Sequence, residues 1–192
     1  MIKTLQSNEL GKSILRLNSD ELELIEKMNG SRDMLGSIEI SAGTDIITNS
    51  MFLGTLLGRL PQQGESNVTV VSPLTTLLVE FLAQGFLAQE ASSQAILAFG
   101  LDQNLDLFSF DPYDDAQANQ SSRPSVLAAT LRLANLINQV EALFVGMGST
   151  HEAGEVGLSL IKEISKGILA GELDFKSQSL LREEISLYPG SG

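Results

Sequence analysis

Apolar and polar positions change rhythm at one junction, and the other segments arrange themselves around it. Val68, Thr69, Val70 and Val71 form a β-branched run that predicts a short strand. Ser72 then offers a hydroxyl to orphan amides, and Pro73 stands at a first helical position, where no N–H is needed. Leu74, Leu77, Leu78, Phe81 and Leu82 recur at helical spacing, and Gly85 supplies a left-handed stop. The pattern predicts a strand running directly into a helix whose wide apolar face must be buried.

Upstream, Ile38 and Ile40 alternate with polar neighbours, Gly43-Thr44-Asp45 reads as a turn, and Ile46-Ile47-Thr48 and residues 52–57 read as short extended segments. A surface loop is expected over Pro61-Gln62-Gln63-Gly64-Glu65-Ser66-Asn67. Residues 1–36 form a segment of separate character, with one short helix opened by Asn18 and Glu21 as a capping box and closed by Asn29-Gly30. Downstream the pattern is helical. A second helix spans 89–99 and stops at Gly100; residues 101–120 form a long acidic connection with a turn at Asp111-Pro112.

The longest pattern runs from Pro124 to Val145, with Val126, Leu127, Leu131, Leu133, Ala134, Ile137, Val140 and Phe144 on one apolar face. Gly146 and Gly148 break it. Ser149 with Glu152 then forms a capping box for a helix over about 150–170. A short last helix is expected over 180–187, followed by a tail of linker composition, Tyr188-Pro189-Gly190-Ser191-Gly192. The fold class predicted is mainly α (α+β). It comprises a helical bundle with a long antiparallel αα-hairpin and a small β element near residues 37–71. The main domain is expected over 37–175, between the N-terminal segment and a C-terminal piece at 176–192.

Composition narrows the partners. An apolar fraction of 43% supports a packed core. There is no uninterrupted apolar run long enough to span a bilayer, and the N-terminus lacks the apolar stretch of a Sec signal. The formal charge is −12, and between Leu60 and Ser122 there are eight acids and no Lys or Arg. Such a surface repels phosphate backbones and anionic headgroups, so no nucleic acid and no membrane insertion are expected. Cysteine is absent, which removes disulfides, thiolate nucleophiles, Cys-ligated zinc and iron–sulfur clusters together.

Candidate chemistry is sparse. Asp102-Gln103-Asn104-Leu105-Asp106 places oxygens at alternate positions, the way a loop grips calcium; Asp102, Asn104 and Asp106 are the candidate ligands. Leu107 stands where an EF-hand loop needs Gly, and Tyr113 where it needs Glu. The competing reading has Asp102 and Asn104 capping a turn. His151, with Glu152 and Glu155, makes a thin metal set, against a solvated helix start. No nucleophile–base pair is evident. Thr75 and Thr76 read as hydroxyls bonding back to the preceding turn. Gly146-Met147-Gly148-Ser149 resembles a phosphate cradle without the Lys of a P-loop, and Glu183-Glu184 reads as a solvated pair. The apolar helical stripes serve a core, a pocket for an apolar small ligand, or a dimer contact eased by Ala128, Ala129, Ala134 and Ala142.

Several segments, in order over roughly residues 43–171, resemble a module of very large multi-repeat, adhesin-like surface or secreted proteins of cyanobacteria and proteobacteria. They are Gly43-Thr44-Asp45-Ile46-Ile47-Thr48, Gly54-Thr55-Leu56, and Thr69-Val70-Val71-Ser72-Pro73-Leu74-Thr75-Thr76-Leu77. Glu90-Ala91, Phe99-Gly100-Leu101, Asp106-Leu107, Phe110-Asp111-Pro112 and Ala134-Asn135 complete the set. The resemblance implies a non-catalytic structural or protein-interaction module, with a protein partner and no cofactor. It also implies an extracellular or cell-surface location reached without Sec, the cytoplasm being the alternative. A binding module for an apolar small ligand is the competing function.

Overall fold

The computed structural model describes residue 20 and residues 37–45, 50–60, 69–114, 120–148 and 154–176. Among them the chain forms an antiparallel strand pair, β1 (Ser37–Asp45) and β2 (Ser50–Arg59). Helices α1 (Pro73–Ala83), α2 (Ala88–Phe99), α3 (Arg123–Gly146) and α4 (Glu155–Leu169) follow. The protein is mainly helical with a small two-stranded sheet. The segments expected at 46–48, 61–67 and 180–187 lie outside the described residues, as does the helix near 18–28 apart from Asp20, which is helical.

Helix α1 is the hub. It contacts β2 and each of the other three helices. Leu77, Leu78 and Phe81 are fully buried and Leu74 nearly so, and each apolar side chain so buried contributes about 1.5–3 kcal/mol. Its start follows the sequence reading: Ser72 Oγ accepts from Thr75 N–H (3.1 Å), and Thr75 Oγ1 accepts in return from Ser72 N–H (2.8 Å).

The entry to α1 differs from expectation. Thr69–Val71 is not a strand. Val70 N–H donates to Phe108 O (3.3 Å) and Thr69 Oγ1 to Arg59 O (2.9 Å), so loop and side-chain partners replace a ladder. The β element is instead the hairpin. Gly43, Thr44 and Asp45, expected as a turn, pair with Phe52, Met51 and Ser50. Pairing across the hairpin overrides their turn composition. The register shifts between Ser41 and Gly43, where Leu53 and Gly54 oppose Ala42 alone; this is a β-bulge at a buried glycine.

Helix α2 ends as predicted, with Gly100 left-handed at φ 65° and Leu101 N–H returning to Ile96 O (3.0 Å). The acidic connection after it is far from a bare surface loop. Leu101, Leu107, Phe108 and Phe110 are buried in the common core. Arg59 is itself buried, its guanidinium 4.7 Å from the centre of the Phe108 ring, which ties the loop to the end of β2.

In α3 the buried face is Val126, Ala129, Thr130, Leu133, Ile137 and Glu141. Leu131 and Phe144, expected on that face, are exposed (48% and 37%). Ile137 and Glu141 meet Gly157 of α4, whose missing side chain permits close approach. Helix α4 starts later than the expected 150. Its N-cap is Gly154, at φ 95° and packed against Thr55, a place that admits no side chain. After α4 the chain returns to α2: Phe175 N–H donates to Ala98 O (2.8 Å), and the Phe175 and Phe99 rings stack at 4.8 Å.

Candidate functional site

The aspartates with calcium-like spacing are placed close together in sequence but are occupied by backbone. Asp102 Oδ1 accepts from Asn104 N–H (3.0 Å), and Asp106 Oδ1 from Phe108 N–H (3.1 Å). Asp111 Oδ1 accepts from Tyr113 N–H (2.9 Å). Each carboxylate closes a turn two residues ahead of itself; of the two turn caps expected, Asp102 acts as one, whereas Asn104 Nδ2 donates to Asp102 Oδ1 (3.4 Å). Their second oxygens are also engaged in two cases: Asp106 Oδ2 accepts from Ser109 Oγ (2.6 Å) and Asp102 Oδ2 from Ser122 Oγ (3.4 Å). Among the described residues, no three His, Cys, Asp or Glu side chains converge as a metal-binding group. His151, Glu152, Glu183 and Glu184 lie outside the described residues.

Gly146-Met147-Gly148 does not precede a helix, as a phosphate cradle requires. Gly146 is the last residue of α3, and α4 begins only at Glu155. The glycines close one helix rather than open the next.

The polar side chains buried deepest hold elements together. Thr76 Oγ1 accepts from Leu57 N–H (2.9 Å) and donates to Ser72 O (2.8 Å). Thr75 Oγ1 accepts from Ser72 N–H and donates to Leu57 O (2.9 Å). Leu57 and Ser72 are thus paired like residues of neighbouring strands, with a threonine hydroxyl inserted in each bond. The bond-back to Ser72 O was legible in the sequence; the reach to β2 was not, because it needs the tertiary approach of α1. Its only local signal was two adjacent threonines in a first helical turn.

Glu141, 5% exposed, is the buried carboxylate that sequence reasoning missed. Its Oε1 accepts Gly157 N–H at 2.8 Å, in the first turn of α4. Gly154 has no side chain to cap that turn, so α3 supplies the acceptor, with negative charge at the positive end of the helix. On the α1–α4 contact, Gln84 Nε2 donates to Ser165 Oγ (2.6 Å). Burial raises the Glu80 carboxyl above its ordinary pKa, and the charge of Lys162 partly offsets this.

No family model, no curated protein and no solved structure matches this chain. Function therefore rests on the residues. Among the described residues, no helix is long and apolar enough to cross a membrane. Large apolar side chains do reach the surface along α3 and just past its end: Leu131, Leu143, Val145 and Met147 are between 48% and 75% exposed.

Proposed function

We propose that the chain is a non-catalytic structural or protein-interaction module of a bacterial surface or secreted system, positioned outside the cell without Sec. The observation that carries this reading is the use to which its polar side chains are put. Thr75, Thr76, Asp102, Asp106, Asp111 and Glu141 each satisfy backbone groups, which is work of support and not of turnover. The resemblance to adhesin-like repeat modules over residues 43–171 points the same way. Within the module, α3 and α4 are read as an antiparallel hairpin. Glu141 meets Gly157, while Arg132, earlier in α3, donates to Phe175 O beyond the end of α4 (3.1 Å).

Fractionation of the source cells with an antibody to the chain tests the placement. Signal in the surface or medium fraction is expected, and signal confined to the cytoplasm refutes it. Affinity capture with the intact chain, followed by mass spectrometry and solvent extraction, tests the role. A stoichiometric protein partner is expected; a stoichiometric apolar compound released on denaturation would replace this reading with ligand binding.

A further inference from the structure

Beyond α4 the chain runs back to α2 and α3 as a short arm, residues 170–176, in which every residue but Phe175 is exposed. Glu172 and Leu173 N–H donate to Gly167 O (2.9 and 3.1 Å), and Asp174 Oδ1 accepts from Lys176 N–H (2.8 Å). Those bonds stay within the arm and the end of α4. Among the described residues, the hydrogen bonds from the arm to other helices both belong to Phe175. Its N–H donates to Ala98 O (2.8 Å), its carbonyl accepts from Arg132 Nη1 (3.1 Å), and its ring stacks on Phe99 at 4.8 Å and 6°. The Lys176 stem lies over Gly100, where a Cβ would meet it at 3.2 Å.

Ala98 O, the Phe99 ring and Arg132 thus form a cradle that takes one residue by its N–H, its side chain and its C=O. The acceptor comes from the end of a helix. Helix α2 stops at Phe99, so Ala98 O has no donor within the helix, and Phe175 N–H supplies one. Main-chain bonds beside a side-chain contact are how extended peptides are held, and offset-stacked rings add attraction. The arm that fills the cradle is held to the other helices chiefly by one residue. Gly171 at its base sits at φ 72°, a pivot that glycine adopts without strain. A segment with exposed flanks and a single anchor belongs to the low-stability end of a fold. We propose that the cradle is a binding site for an extended peptide segment presenting phenylalanine, and that residues 170–176 occupy it in cis.

The site does not depend on a location outside the cell, and its test can fail while that reading stands. Phe175→Ala in the full chain empties the cradle. A synthetic peptide of residues 171–177, added to the isotope-labelled variant, is expected to shift the amide resonances of residues 98–101 and the Arg132 side chain. Saturation is expected by about 5 mM, the scale of a short tether's effective concentration. The parent chain should bind the same peptide at least tenfold more weakly, because its own Phe175 competes. In the parent alone, the Phe175 amide should exchange at least a hundredfold faster than the Leu78 amide of α1, since the arm lifts while the helices stay folded. That measurement stands whether or not the variant folds. No shift at about 5 mM, an equal response to a peptide with alanine in place of phenylalanine, or equal binding by both chains would each overturn the proposal. So would a Phe175 amide as protected as that of Leu78.

Discussion

Replacing Thr76 by Val tests the hydroxyl bridge between β2 and α1 with almost no change of shape. The substitution removes one oxygen and leaves two backbone groups to account for. Ser72 O keeps a second donor, since the Thr76 backbone N–H lies 2.9 Å from it. Leu57 N–H loses the acceptor at 2.9 Å, in a site where Thr76 is fully buried. An unsatisfied buried donor costs about 1–3 kcal/mol, and the added methyl recovers only part of that. A net loss of about 2 kcal/mol is expected, which at this chain length lowers the melting temperature by roughly 4–8 °C. Urea unfolding followed at 222 nm gives the free energy directly. Hydrogen exchange gives the site: the Leu57 amide should exchange roughly thirtyfold faster, the factor that corresponds to about 2 kcal/mol. Thr75→Val should cost a similar amount, and the double variant should cost less than the sum, because both hydroxyls serve the same two residues. Ser93, exposed and bonded only to Gln89 O, is the control; Ser93→Ala should stay within about 0.5 kcal/mol. If Thr76→Val matches that control in stability and in Leu57 exchange, the bridge does not hold the elements together.

Other consequences are as direct. Glu141→Gln should cost about 1 kcal/mol by removing charge from the start of α4, and Glu141→Ala about 2–3 by orphaning the Gly157 amide, both read by denaturant melts. Gly154→Ala should destabilise by about 2 kcal/mol or more, since its φ is left-handed and a Cβ would meet the Thr55 backbone nitrogen at 2.9 Å. Because burial raises the Glu80 pKa, the protonated carboxyl favours the fold: that stability is full below 4.5 and is lost as pH rises through the folded value. Glu80→Gln should therefore melt higher than the parent at pH 7, with the gap closing below pH 4.5; a gap that persists in acid refutes the assignment. Calcium at millimolar level should leave the melting temperature unchanged if the Asp102 and Asp106 carboxylates stay committed to their turns, and a rise would show that they release them to bind the ion.

What was legible in the sequence was what local chemistry decides. Ser72 and Pro73 set the start of α1, Gly100 the end of α2, and the leucines of α1 the centre of the core, each through rules that act within a turn. The failures share a cause. Gly43-Thr44-Asp45 has turn composition, yet its partners in β2 draw it into a strand. Val70 and Val71 have strand composition, yet the neighbours that would pair with them are a loop carbonyl and a glycine. The acidic stretch after α2 hid Leu107, Phe108 and Phe110 between aspartates, so charge masked a buried segment. Glu141 gave no signal because its task is set by Gly157, sixteen positions away. At the candidate site, spacing singled out the aspartates, and the turn that uses the Asp102 oxygen was one of two readings.

The threonine bridge has a consequence beyond stability. A β-ladder propagates because each strand offers donors and acceptors at every second residue for the next one to use. Along β2, Leu57 spends both on hydroxyls and Arg59 O takes one from Thr69, while Gly154 sits against Thr55. A hydroxyl ends that series because no further strand can be templated on it. One border of this small sheet is thereby protected from edge-to-edge aggregation, without the charge or proline that usually does so.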